Sequence, residues 1–146
     1  MPGMRGADWS TRPLEDTLGE ALRAELLGWP GVTTRPMMGC LAFCRGEQML
    51  GCYVNRALSK KKPPWMNHPD EPPLVWVRLG AEDAGRALRR PGVRRSRTGA
   101  VNWVEILLES RASLEEAVRW LGRAYEHPPG PAGKKRKVKS RPGARS

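Results

Sequence analysis

Cations are the residues here whose type and spacing could do chemistry. Arg86, Arg89, Arg90, Arg94, Arg95 and Arg97 crowd one stretch with no acidic residue between them. Lys60, Lys61 and Lys62 form a second run, and Lys134, Lys135, Arg136, Lys137, Lys139, Arg141 and Arg145 form a third, also free of acids. Guanidinium and ammonium groups at this density hold polyanions, most simply nucleic-acid phosphates, through contacts that carry no sequence information. The competing reading is a solvated basic surface and a tail that adds solubility. Trp65 follows the lysine run closely enough to stack on a base beside phosphate contacts; packing over an exposed edge is the plainer role. The segment at 133–139, Gly-Lys-Lys-Arg-Lys-Val-Lys, matches a nuclear-localisation pattern and is read here as a phosphate-binding arm.

Other candidates lead away from catalysis. Cys40 and Cys44 are four residues apart, so on a strand their Cα atoms lie about 13 Å from each other, beyond disulfide reach. A two-residue hairpin turn would put Cys52 on the opposite face. His68 sits alone in a Pro-rich loop, whereas zinc needs four suitably spaced ligands. All three thiols are expected to stay reduced, with no metal and no cofactor. Neither His68 nor His127 has a Ser or Cys partner at a recognisable spacing, and Glu105 and Glu109 share a strand with no sign of a cleft. No phosphate-cradling Gly-rich loop is present. The expectation is a chain that is not an enzyme, with no small-molecule substrate.

The 146 residues fit one domain with tails. The net charge is +11, and setting the seven cations of the tail aside leaves 19 of the 26 basic residues against 15 acidic ones, or +4. The core is therefore mildly basic and the tail strongly so. No stretch approaches the roughly 18 apolar residues of a membrane helix. The first residues have no apolar signal core and the cysteine count is odd, so a cytoplasmic location is expected, free or at the nucleoid, with no membrane partner.

The elements that must position these cations are organised around an apolar hairpin at 37–54. Its strands, 37–44 and 48–54, meet at a turn where Gly46 supplies a positive φ. A two-residue turn would set Leu41, Phe43, Leu50 and Cys52 on one face and Cys40, Ala42, Cys44, Met49, Gly51 and Tyr53 on the other. Both faces are apolar, which predicts a sheet centre covered on both sides. Ahead of it, Thr11 and Pro13 open a helix with Leu14, Leu18, Ala21, Leu22 and Leu26 on one face, and Trp29 folds back towards the sheet. The segment 56–73 holds five prolines and three lysines and reads as a long functional or disordered loop. A strand at 74–79, a helix at 81–90, an edge strand at 93–97 and a strand at 101–109 follow. The last helix starts at Ser113, with Glu116 completing a capping box. The fold class is α+β with an antiparallel sheet, in the order helix, three strands, helix, two strands, helix. The divisions are a disordered 1–10, a domain at 11–127, and a Pro/Gly linker with a disordered basic tail at 128–146.

Residues 28–43, Gly-Trp-Pro-Gly-Val-Thr-Thr-Arg-Pro-Met-Met-Gly-Cys-Leu-Ala-Phe, resemble the opening of the TfoX/Sxy N-terminal domain. That family has a Met-Phe-Gly-Gly type strand there, then a Gly turn and a Met-rich second strand. Ala-Leu-Arg-Arg-Pro-Gly-Val at 87–93, Asn-Trp-Val-Glu-Ile at 102–106 and the closing helix fit as well, so the likeness covers roughly 14–127. The YjbR-like family, with its double-wing DNA-binding fold, is similar in element order. The resemblance implies a compact α+β domain linked to transcriptional control of competence, with no catalytic residues. The segment 56–73 is longer and more basic than the family pattern, and a basic tail stands where full-length regulators have a second domain. Two functions follow as expectations: a non-enzymatic regulatory module associated with nucleic acid, or an adaptor docking a transcription factor.

Overall fold

The computed structural model describes residues 13–37 and 39–129. Helix α1 spans Thr17–Leu27 and starts later than Thr11 or Pro13, because Asp16 is its cap: the carboxylate accepts from the Gly19 amide at 3.1 Å. That bond satisfies one of the amides a helix start leaves unpaired. Strands β1 (Val32–Met37), β2 (Cys40–Arg45) and β3 (Gln48–Val54) follow. The lead-in to the hairpin is thus itself a strand, and the first run has four strands once β4 (Leu74–Arg78) is counted. Pro36 is tolerated in β1 because β1 is a sheet edge. Helix α2 is Ala81–Ala87, β5 is Val93–Arg95, β6 is Trp103–Leu107 and α3 is Arg111–Glu126.

Helix α3 begins three residues earlier than a Ser113 cap would place it. Ser110 is the cap: its hydroxyl accepts from the Ser113 amide at 3.1 Å, and the Ser113 hydroxyl accepts from the Ser110 amide at 2.9 Å. Glu116 instead receives Trp120 Nε1 at 2.7 Å and the guanidinium of Arg90.

The molecule is α+β. The strands form one six-stranded antiparallel sheet in the order β1-β2-β3-β4-β6-β5. The midline falls between β3 and β4, so the hairpin expected at the centre lies to one side of it. Gly46 takes φ +61° at its turn. The faces of β3 differ from the simple alternation because Phe43 pairs with Gly51 and Cys44 with Met49, leaving Leu50 opposite nothing. This bulge moves Cys52 to the face of Cys40 and Cys44, and brings Tyr53 to the face of Leu41 and Phe43.

All three helices cover one face. Leu41, Phe43, Tyr53, Val75, Val77, Val104 and Ile106 of the sheet meet Leu22, Leu26, Leu114, Ala117 and Leu121 there. Phe43 and Tyr53 are fully buried. Tyr53 also ties α1 down, its hydroxyl donating to Asp16 Oδ2 at 2.7 Å and accepting from Asn55 Nδ2 at 2.9 Å. Trp29 packs against the helix-side core and on Tyr125 of α3, with ring centroids 5.3 Å apart.

The other face carries a smaller core, and its cover is the segment 56–73. This segment is ordered by side chains that stand in for missing secondary structure. Asn55 accepts from the Ala57 amide, and Asn67, 2% exposed, accepts from the Arg56 amide and donates to the Glu71 carbonyl. Met66 is buried against the sheet, and Trp65 lies over Trp76 at 5.6 Å.

Candidate functional site

The register sorts the helix-free face of the sheet into three rows running across the strands. The lower row is Met37, Cys40, Val54, Leu74 and Leu107. The middle row is Arg35, Ala42, Cys52, Trp76, Glu105 and Arg94, with an arginine at each end. The upper row is Thr33, Cys44 and Met49, continued by Arg78 and its partner Trp103. The strap 56–73 covers the lower row and part of the middle one. Along the upper side Thr33 and Arg35 are exposed and Met49, Arg78 and Trp103 are half-buried.

Where the strap meets β5 and β6 the carboxylates and arginines interlock. Glu105, 1% exposed, accepts from Trp76 Nε1 at 3.1 Å, Arg94 Nε at 2.8 Å, Arg97 Nη2 at 2.9 Å, and the backbone amide and Nε of Arg97, both at 3.0 Å. Arg97 reaches on to Glu71 at 2.9 Å and to the Met66 carbonyl at 3.3 Å. Arg94 lies 3.6 Å from Glu71. Arg97 lowers the Glu71 carboxyl to a pKa of about 2, against some opposition from burial. Burial pushes Glu105 up, but the bonds from Arg97, Arg94 and Trp76 together outweigh it, and its carboxyl is held below the ordinary value. Both acids are therefore fixed anions with no proton to give at neutral pH. They stand with Pro64, Trp65, His68 and Arg95 around an open cleft of about 400 Å³. Sequence reasoning gave Glu105 no cleft, because the cleft is made by a strap distant from it in sequence.

The arginine run does not make one patch. Arg86 pairs with Glu82 and Asp83, and Arg90 with Glu116, on the helix side. Arg94 and Arg97 turn to the other face and hold Glu71 and Glu105. The pairing acids come from other elements, so a run without acids in sequence is not one in space. Arg89 and Arg95 are exposed and make no ion pair among the described residues. Lys60, Lys61 and Lys62 are exposed on the strap; Lys62 Nζ donates to the Arg56 carbonyl at 2.6 Å and also bonds the Ser59 carbonyl. The seven cations from Lys134 to Arg145 lie outside the described residues.

All three cysteines share the helix-free face, which corrects the placing of Cys52 opposite the others. The Cys40 thiol donates to the Met37 carbonyl at 3.1 Å and the Cys52 thiol to Met49 Sδ at 3.9 Å; the two thiols are neighbours, and with burial this pushes Cys52 well up and holds Cys40 down. Burial raises Cys44 as well, opposed by Arg35, whose guanidinium lies 3.9 Å from its sulfur. Among the described residues, no group of three or more His, Cys, Asp or Glu side chains could hold a metal ion. None of the described helices is long and apolar enough to cross a membrane.

Sequence reasoning missed that Arg35, Arg78 and Trp103 share one open face, with Arg78 and Trp103 paired across β4 and β6. The alternation Thr33, Arg35, Met37 was the available signal, but it means nothing until β1 is recognised as a strand. In comparison with known proteins, no family model, curated protein or solved structure matches the chain.

Proposed function

We propose that this chain is a non-enzymatic regulatory module that associates with nucleic acid through phosphate contacts, in line with its resemblance to the TfoX N-terminal domain. The observation that carries the reading is the set of cations left over once the internal ion pairs are drawn. The side chains of Lys60, Lys61, Arg89 and Arg95 are exposed and make no ion pair among the described residues. Behind them in sequence stand the seven cations of the tail. Arg90, Arg94 and Arg97 contribute less, because each already holds a carboxylate.

A gel shift with random and genomic DNA over a salt series tests this. Phosphate neutralisation releases counterions, so engagement of about six charges on duplex DNA gives a log–log slope of roughly −5. Absence of any binding to DNA or RNA at low salt defeats the proposal. A pull-down repeated with nuclease separates it from the adaptor reading. Partners that survive nuclease treatment would mark the chain as a protein that docks a transcription factor.

A further inference from the structure

We infer that the upper part of the helix-free sheet face is a docking surface for single-stranded nucleic acid, with Trp103 stacking on a base and Arg35 and Arg78 taking phosphates. The inference rests on the nucleic-acid reading above and adds the form of the ligand and the residues that meet it.

Charge complementarity is the first support. The upper row is Thr33, Cys44, Met49, Arg78 and Trp103, whose one charged residue is a cation, and exposed Arg35 stands at the near end of the middle row. The carboxylates of the middle row and the strap, Glu105 and Glu71, are already closed into bonds with Arg94 and Arg97 and present little free negative charge to an approaching phosphate, which leaves exposed Glu47 at the β2–β3 turn as the acid beside the upper row. Exposed Lys60 and Lys61 lie on the strap that covers the rest of the face.

The second support is the kind of apolar surface. Trp103 and Met49 are half-buried: their backs pack on the thiol-side core, while the rest stays in solvent. A partly exposed indole with an arginine beside it in register is the combination of stacking platform and phosphate partner that single-strand binders use. Unpaired bases can lie on such a surface; bases inside a duplex are stacked on each other, and a six-stranded sheet face is too broad to enter a groove. The geometry gives a path as well. Arg35 on the β1 edge and Trp103 on β6 are four strands apart, about 19 Å at ~4.8 Å per strand, with Arg78 one strand from Trp103. A strand laid across the sheet meets a cation at each end of that path.

The test measures fluorescence anisotropy of a short labelled oligo(dT) and of a labelled duplex of equal length, with the full chain at low salt. Trp103→Ala and Arg35→Glu are compared with the parent after thermal melts show that each is folded; Arg35 is exposed on an edge strand, so its variant folds even where the Trp103 one does not. The expected result is an oligo(dT) affinity about tenfold weaker in each variant, with the duplex affinity changed far less. Equal losses on both probes, or no loss on either, overturn the single-strand surface and leave the phosphate-contact proposal standing. A parent chain that binds neither probe overturns both.

Discussion

Glu105 is a single carboxylate that receives five hydrogen bonds from three residues on two strands and a loop. Replacing it with Ala leaves Arg97, 17% exposed at its side chain, with Glu71 as its one carboxylate partner among the described residues. Removing one partner of a buried pair costs about 3–5 kcal/mol, since the remaining charge stays desolvated. Urea unfolding of Glu105→Ala reads that loss, and a change under about 1 kcal/mol would place the pair among the weak surface bridges. The pH dependence follows from the same bonds. Glu71 and Glu105 both have folded pKa values below their unfolded ones, so their contribution is fully present above the ordinary carboxylate value of 4.5. It is lost as the pH falls from there through about 2, where Glu71 itself protonates. The Glu105→Gln variant should therefore show a flatter stability profile between those pH values than the parent, as read by unfolding at successive pH values. Tyr53→Phe tests the second polar anchor. It deletes a 2.7 Å bond to the Asp16 carboxylate and leaves Asn55 without its acceptor, so a loss of about 1.5–3 kcal/mol is expected from the same unfolding measurement.

Elements were legible in the chain wherever apolar spacing marked them, and misplaced wherever one extra residue or one side-chain bond reset the frame. The hairpin, the strands around Trp76 and Val104, and the three helices could all be read from apolar spacing and from Gly and Pro breaks. The phase of β3 could not, because Leu50 is inserted without a partner and nothing in Met49-Leu50-Gly51 announces a bulge. Gly51 records it in the structure. A Cβ there would run into the Trp76 carbonyl of β4 and come within 2.8 Å of Leu121 Cδ2, so β3 and β4 can pair this closely only over a glycine. Gly51→Ala should destabilise by about 3 kcal/mol or more, the upper part of the overpacking range, and a melt within a degree or so of the parent would mean the strands can part there. The strap was equally unreadable. Its prolines exclude a helix or a central strand, but its order comes from Asn55 and Asn67 reaching back to the backbone, a tertiary arrangement that spacing does not encode. For the same reason the open face, which needs β1, the bulge and the strap all in place, was visible only as scattered arginines and tryptophans.

At the scale of the whole molecule, charge is divided between a folded part that consumes its own arginines and a terminal run that lacks acids. Among the described residues, the core runs from Leu14 to Ala124, so a chain ending at 133 keeps every one of these core residues. Its melting temperature should match that of the full chain. Its nucleic-acid binding should not. Each phosphate neutralised on duplex DNA contributes about −0.9 to the salt slope, so the seven tail cations account for up to about six in that slope. Deleting them should flatten the slope by the number of contacts they make and weaken binding about equally for all sequences, because phosphate contacts do not read bases. Gel shifts of both chains over the same salt series give the difference directly. If the shorter chain keeps the full slope, the phosphates are held by the domain, and Lys60, Lys61, Lys62, Arg89 and Arg95 become the residues to substitute next. If it loses binding to duplex and single strand alike, the open sheet face has no affinity of its own and the tail alone is the contact.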